Sequence, residues 1–533
     1  MAKKIKGSSK KIDLVSELIK IGIALSSEHN LHKLLEMIVD QAQRLTNADG
    51  GTLYIVNDDG TALDFAIVRN ISLDIRMGGT GTPINWKPVS LFDNDGKPNH
   101  TNVSSYVALS GEAVNISDVY HAKGFNFEGT KRFDAGTGYR SKSMLVVPMR
   151  NHENDIIGVL QLLNAKDANT GKVIKFSQTS QDITLSLASQ AAIALTNNRL
   201  INDLANLLES FIKSIAAAID EKSPYTGGHI KRVAELTMDI ANRINRCEDG
   251  FFKDVYFSRD ELNELRIAAW LHDIGKITTP EHVVDKATKL ETICDRITLL
   301  KTRFEVIKRD YEIKLLKERM AKEQIFEPID AHQKDDKFLE KLQDDLEFII
   351  KLNNGSEFVS DEMLERLKSI KEREWFMDGV PMTLLTDDEA YNLNIKRGTL
   401  NDEERKIITN HVFLTYKMLS QLPFPKKLKN VPKYAAAHHE CLNGTGYPFG
   451  LKEDEIPIQA RIIALADVFE ALTAKDRPYK KAKTLSEALK ILSFMVKDRH
   501  IDPILFDFFI KERIYLDYAK KELSPSQIDI EDL

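Results

Sequence analysis

Five histidines and two aspartates in the C-terminal half sit in settings where neither residue type is stable without a partner. They are His229 in SPYTGGHIKRVAEL, His272 and Asp273 in AAWLHDIGK, His411 in KIITNHVFL, His438 and His439 in AAAHHE, and Asp467 in RIIALADVFEALTA. The run around Asp467 is apolar enough to belong to a buried helix. An ionised carboxylate in its middle is costly unless it is paired or bound to a metal. The His-Asp and His-His neighbours, each following an Ala/Leu-rich turn, pose the same problem, and a pair of divalent ions answers it for all seven. His282, in the loop-like TPEHVVDK, and His500, beside Asp502, carry no such signal and are left out of the site.

Those residues have to be held by a large protein. With 533 residues the expectation is three or more domains, each able to bury a core. Hydrophobic residues make up 42% and charged residues 29%, ordinary globular values. A net charge of -6 argues against a general surface for nucleic-acid polymers or anionic membranes, although Lys276, Arg477, Lys480 and Lys481 provide local positive charge for a small anionic substrate. Cys247, Cys294 and Cys441 lie far apart without zinc-ligand spacing, which suits packing roles in a reducing compartment. No apolar run approaches a membrane span, and MAKKIKGSSKK is not followed by a signal-peptide core. The expected location is the cytoplasm.

The fold class expected is multidomain α+β. After a basic tail (1–10), residues 11–176 begin with two amphipathic helical stretches. The strand-like runs GGTLYIV, DFAIVRNISL, GEAVNIS, SKSMLVVPMR and DIIGVLQLLN follow, which predicts an antiparallel sheet flanked by helices. Residues 177–221 read as one connecting helix. Along it Leu200, Leu204, Leu207, Phe211, Ile215 and Ala218 recur at the four-three spacing of a coiled-coil seam, so a homodimer is expected. An all-helical domain holding the seven residues is expected in two parts, 222–286 and 397–515, followed by a tail (516–533). Between the parts, 287–396 shows three helical stripes: Ile293, Ile297, Leu300, Phe304, Ile307 and Tyr311; Phe338, Leu342, Leu346 and Ile349; Met363, Leu367 and Ile370. Charged outer faces suggest a helical hairpin or small bundle serving as an arm or extra packing surface.

HDIGK, then HHECLNGTGYP, then ADVFEALTAKDRPYKKA, in that order, resemble the HD-GYP branch of the HD phosphohydrolases from about Ala216 to Phe509. Two positions depart from the family pattern. Asn443 stands where Asp is usual in the loop between HHE and GYP, and Glu470 stands where Asp is usual. The resemblance implies hydrolysis of cyclic di-GMP to linear pGpG and onward to GMP, with cyclic GMP-AMP as the close alternative substrate. A receptor that binds cyclic dinucleotide without cleaving it is the alternative from another class; the complete ligand set favours an enzyme.

Adjacent helical residues point about 100° apart, so His272 and Asp273 can face different ions, with Asp273 as the bridge. One ion is then assigned to His229, His272, Asp273 and Asp467, and the other to Asp273, His411, His438 and His439. Imidazole-rich, carboxylate-bridged sites suit iron or manganese, with zinc as the alternative. Such a pair acidifies a water for in-line attack at phosphorus. Some family members bind a third ion through a Glu where Tyr225 stands here, so two are expected. Asp273 and Lys276 are the catalytic candidates. Lys276, Tyr447 in GTGYP, Arg477 and Lys480 are the candidates for holding substrate.

FNFEGTKRFDAGTGYRSKSMLVVPM and GVLQLLNAKD resemble GAF domains, which are small-molecule sensors and dimerisation modules. Asn164, Lys166 and Phe176 are counterparts of the residues that mark the nucleotide-binding subset, whereas Ser180 and Gln181 replace its acidic pair. A cyclic nucleotide is the expected GAF ligand, with a purely dimerising GAF domain as the alternative.

Overall fold

The computed structural model describes residues 16–28, 30–222, 228–321, 337–474 and 482–530. The basic N-terminal tail, Tyr225, Arg477, Lys480 and Lys481 lie outside them. The chain forms two compact units, Met1–Leu208 and Glu209–Leu533.

In the first unit, helices α1 (16–27) and α2 (Leu31–Thr46) precede an antiparallel sheet. Its strands are β1 (Ala48–Val56), β2 (Ala62–Asn70), β3 (Ile75–Gly78), β4 (Val89–Ser90), β5 (Val114–Ile116), β6 (Met144–Arg150), β7 (Ile156–Lys166) and β8 (Val173–Ile174). They run in the order β3-β2-β1-β7-β6-β5, with β4 on β2 and β8 on β7. Successive strand residues face opposite sides, and here both sides are covered. Leu53, Leu145, Val147 and Leu160 pack against α2 residues such as Leu34 and Ile38. Tyr54, Met144, Val146 and Val159 join Val107 and Phe127 on the other face, where α3 (Val103–Ser110) and α4 (Glu128–Thr137) lie. That two-sided burial is why the runs read as continuously apolar instead of alternating.

Helix α5 runs unbroken from Gln178 to Asp220. Its first and last stretches each pack into a core. Leu187, Ala188, Ala191 and Leu195 are part of the sheet core. Ile212, Ala216 and Ile219 are part of the core of the second unit. Between those ends the predicted seam is open: Leu200, Leu204, Leu207 and Phe211 are all more than half exposed.

The second unit is helical: α6 (His229–Ile244), α7 (Arg259–Leu271), a 3-10 turn (Ile274–Thr278) and α8 (Glu281–Val284) precede the insertion. The insertion holds α9 (Ile297–Ala321), α10 (Lys337–Asn353), α11 (Asp361–Lys371), a hairpin β9 (Glu374–Met377) and β10 (Val380–Thr383), and α12 (Asp387–Leu393). After it come α13 (Asp402–Leu419), α14 (Val431–Ala436), α15 (Ile458–Thr473), α16 (Leu485–Lys497), α17 (Pro503–Lys511) and α18 (Ile514–Glu522). Val233, Leu265, Ile463, Phe469, Leu489 and Phe509 share one core.

Three expectations are corrected here. Residues 516–533 are not simply a tail: Leu516, Tyr518 and Ala519 are buried in that core, and Gln527 donates to the Thr473 carbonyl at 2.9 Å. Ile293 lies outside the first insertion helix and is 99% exposed, because Asp295 accepts from the Ile297 amide at 2.9 Å and the helix begins there. The insertion also contains the β9–β10 hairpin, turned at Asp378 and Gly379, both with positive φ. Asp-Gly is the residue pair such a turn demands.

The insertion has its own core, with Leu300, Phe304, Ile349, Leu367 and Leu393. Its two ends are tied together. The Lys286 ammonium, almost wholly buried, donates to both Glu404 oxygens at 2.8 Å. The Thr399 hydroxyl donates to the Lys286 carbonyl at 3.0 Å. Lys289, fully buried, donates to the carbonyls of Leu393 (3.3 Å) and Ile395 (2.8 Å), and burial pushes its ammonium down to about 8.

Candidate metal centre

Each candidate ligand is placed by a helix end or a helix face. Ser258 and Glu261 close a capping box at the start of α7, and His272 and Asp273 follow its last turn. The 3-10 turn then presses against α13. The Gly275 amide donates to the Thr415 hydroxyl at 3.0 Å, which itself donates to the His272 carbonyl at 3.1 Å. A Cβ on Gly275 would lie 1.9 Å from the His411 carbonyl oxygen, so only glycine allows this approach. His229 opens α6, His411 lies within α13, His438 and His439 follow α14, and Asp467 is in α15.

These seven residues converge. The ligand atoms of His411, His438 and His439 lie within 4.8 Å of one another, as do those of His229, His272 and Asp467, and those of His272, Asp273 and His438 link the two groups. The two oxygens of Asp273 face opposite ways. Oδ2 is 3.3 Å from His272 Nε2 and 3.7 Å from His229 Nε2, whereas Oδ1 is 3.2 Å from His411 Nε2. Asp467 Oδ1 is 3.3 Å from His229 Nε2 and 3.8 Å from His272 Nε2.

Whether the donor set fits metal ions is answered by where its nitrogens point. His272 Nδ1 donates to the Ala269 carbonyl (2.8 Å), His438 Nδ1 to Ala435 (2.6 Å) and His411 Nδ1 to Ile408. A carbonyl can only accept, so each ring is turned with Nε2 inward. Those three Nε2 atoms and Asp273 Oδ1 are buried and make no hydrogen bond. Buried polar atoms are nearly always hydrogen-bonded; four converging exceptions are what a cation site requires, and the residues fit one.

Burial disfavours charge on the rings of His229, His272, His438 and His439. At His272 the Asp273 and Asp467 carboxylates outweigh it and lift the imidazole to about 9. Against the same penalty, Glu470, Asp273 and Asp467 raise His229. Burial prevails at His438, which is held well below its usual value, and at His439, pushed down to about 4. Despite their burial, both aspartates stay far below the usual carboxylate range, Asp273 through Lys276 and His272, Asp467 through His229 and His272.

Several supporting residues had gone without a role in the sequence. Glu470, fully buried, accepts from His229 Nδ1 and from Arg232 Nε and Nη2 at 2.7 Å, so it orients His229. Glu440 of the HHE motif accepts from the amides of Phe449 (2.7 Å) and Leu451 (2.8 Å), pinning the GTGYP loop. Asn443 caps a turn through Thr445, and its amide donates to the Asp498 carbonyl at 2.9 Å. An Asp carboxylate could not make that last bond, so the departure from the family pattern has a structural use. The Lys276 ammonium pairs with Asp273. The Tyr447 ring lies 4.9 Å from that of His439, tilted by 31°.

In the first unit, Asn164 accepts from the Lys142 amide (2.7 Å) and donates to the Arg140 carbonyl (2.8 Å). Lys166 pairs with buried Asp49 and donates to Ser72 at 2.9 Å. Phe176 is packed in the α2-side core. All three proposed GAF ligand contacts are therefore engaged with protein groups.

A GAF domain family model matches residues 30–195, and two HD domain models match 226–352 and 386–505. The chain carries a GAF domain followed by an HD-domain region. Among curated proteins it is similar to a probable cyclic di-GMP phosphodiesterase of Vibrio cholerae, 38% identical over 24% of this chain and 30% of that protein. It is also similar to a cyclic di-GMP phosphodiesterase of Thermotoga maritima, 35% identical over 24% of this chain and 34% of the other. With the 3′3′-cGAMP-specific phosphodiesterase 3 of Vibrio cholerae it shares 42% identity over 21% of this chain and 23% of that protein. The matches thus span about a third or less of each relative's length. Among the described residues, no helix is long and apolar enough to cross a membrane.

Proposed function

We propose that the protein is a metal-dependent phosphodiesterase that hydrolyses cyclic di-GMP to linear pGpG, and pGpG onward to GMP, under the influence of its GAF domain. The observation that carries this reading is the set of inward-turned, unbonded Nε2 atoms around an Asp273 carboxylate that faces both ligand groups. His229, His272, Asp273 and Asp467 would hold one ion and Asp273, His411, His438 and His439 the other, with iron or manganese favoured over zinc by the imidazole-rich set. When bound, the ions supply an acidified water and positive charge for attack at phosphorus.

The remaining work falls to the chain. Lys276, partly exposed beside Asp273, is placed to turn its ammonium toward a phosphate oxygen. Tyr447 stays a neutral phenol, since burial and then the Asp467 and Asp273 charges push its ionisation up, and its ring offers a stacking face for a base at the rim. Glu440 holds that rim in place. Lys276→Ala should keep its metals yet lose at least about tenfold in kcat/KM, roughly 1.4 kcal/mol of transition-state stabilisation. Wild-type kinetics in this variant would leave Lys276 with only its ion pair. Cyclic GMP-AMP is the second reading, supported by the identity to a protein named for that substrate. Metal analysis and a turnover panel of cyclic dinucleotides on one preparation test both readings; binding without turnover would make the protein a receptor instead.

The open stripe on α5 supports a homodimer through a coiled-coil seam. Leu204→Pro should break the helix at a cost of about 3 kcal/mol or more, leaving a metal-loaded protein that has lost dimerisation or its response to a GAF ligand. Sedimentation showing an intact, normally regulated dimer would defeat this. Cyclic AMP and cyclic GMP are the first GAF ligands to test by calorimetry, each having to displace the protein contacts of Asn164 and Lys166.

A further inference from the structure

The end of α5 reaches the metal centre from behind. Glu209 pairs with Arg266 of α7 at 3.2 Å, and Ile212, Ala216 and Ile219 are locked into the core, so the last three turns of the helix move with this unit. Two side chains then leave the helix end in different directions. Asp220 Oδ2 accepts from the Gly228 amide at 3.0 Å. Gly228 is the N-cap of α6 and offers no side-chain cap of its own, so Asp220 supplies the missing acceptor at the start of the helix whose first residue is His229. The Lys222 ammonium donates to the carbonyl of Lys276 at 3.2 Å and to that of Ile277. These are carbonyls of the 3-10 turn that follows Asp273 and carries Lys276.

Both attachments have a plain physical basis. The first amides of a helix have no partner within it, and a carboxylate there both accepts from them and complements the helix dipole. At the end of the 3-10 turn the Lys276 carbonyl also accepts from the Thr279 amide at 3.0 Å. The Lys222 ammonium adds a second donor there and reaches the Ile277 carbonyl, as basic side chains do at such ends. Asp220 ends the helix and Lys222 follows it by two residues. Their attachments lead to two separate segments of chain, the start of α6 at His229 and the turn after Asp273.

We infer that Asp220 and Lys222 are positioning residues: Asp220 sets the helix start that presents His229, and Lys222 sets the turn that presents Lys276 and follows Asp273. Both segments are thereby tied to the one end of α5 that is packed into this unit. The inference rests on the metal-dependent reading above, but its test does not depend on turnover.

The test uses the full chain and four variants: Asp220→Ala, Asp220→Asn, Lys222→Ala and Lys222→Arg. Chelator competition with Mn2+ should show Asp220→Ala binding at least ~5-fold more weakly, somewhat below the 10–100-fold typical when a residue orienting a ligand directly is removed. Asp220→Asn, which keeps an acceptor oxygen, should restore the affinity. Lys222→Ala should keep its Mn2+ affinity, speed amide hydrogen exchange across Ile274–Thr278, and lower kcat on a cyclic dinucleotide or on bis(4-nitrophenyl) phosphate at least ~10-fold with little change in KM. Lys222→Arg should reverse these effects. Wild-type affinity in Asp220→Ala together with wild-type exchange in Lys222→Ala would overturn the inference. So would parallel losses of affinity, turnover and melting temperature in both variants without rescue, since that is the signature of general destabilisation. A wild-type protein that binds Mn2+ but cleaves neither substrate would remove the phosphodiesterase reading, while the affinity and exchange measurements still decide the roles of Asp220 and Lys222.

Discussion

Asp273→Ala is expected to reduce turnover to background and to lower bound metal at the same time. Asp273 is the candidate ligand whose two oxygens face both groups, Oδ2 toward His229 and His272 and Oδ1 toward His411. It also pairs with Lys276. Its removal leaves the raised His229 and His272 without a main counter-charge and Lys276 without its anchor. The loss should exceed the ~10–100-fold that follows when a residue merely orienting a ligand is removed. Metal analysis by mass spectrometry, beside phosphodiesterase assays, checks it; unchanged metal content with undiminished activity would refute the assigned centre.

Gly275→Ala tests the scaffold instead of the ligands. Its backbone conformation is open to any residue, so the whole effect is steric. The added Cβ would lie 1.9 Å from the His411 carbonyl oxygen and 2.8 Å from the Thr415 amide nitrogen, both backbone atoms that cannot swing aside. The 3-10 turn and α13 must separate, which carries His411 away from Asp273 and breaks the Thr415 bridge. Overpacking of this kind costs ~1–3 kcal/mol or more, so a lowered melting temperature and weakened metal binding are both expected. A variant with normal stability and full metal content would show that the turn and α13 do not need this close approach.

Most of the candidate ligands stand out in the sequence because they break a local rule: a charge or a pair of imidazoles within apolar, helix-forming surroundings. Their supports do not, because they obey such rules. Thr415 is an ordinary residue on a helix, and only its position opposite Gly275 in space makes it a bridge. Glu470 lies one turn beyond Asp467, yet its pairing with His229 spans 241 residues of chain. In the sheet, the paired apolar runs marked β1, β6 and β7 well because both faces are covered. The β9–β10 hairpin escaped notice because its strands are four residues long, too short for a period to show, and only its Asp-Gly turn signalled it. The last helix is hard to tell from a tail in the sequence, since Lys520, Lys521 and Glu522 end it, although the buried Ile514, Tyr515 and Leu516 begin it. The stripe from Ile293 runs across Asp295, whose side chain accepts from the Ile297 amide where α9 begins and so leaves Ile293 outside the helix.

The knot of Lys286, Thr399 and Glu404 means that the polypeptide leaves the HD-domain region and returns to it at nearly one point. To the rest of the domain, everything between is a closed detour whose length hardly matters, because the entropy of joining two ends that are already held together grows only slowly with what lies between them. A segment of about 110 residues and a short linker would then be interchangeable at that junction. The buried amine of Lys289 acts as a second rivet on the arm's side, and Asn392 of the arm joins the first by accepting from Lys286 and Asn401. What lies between Lys289 and Asn392 is thus the part whose length this junction leaves open.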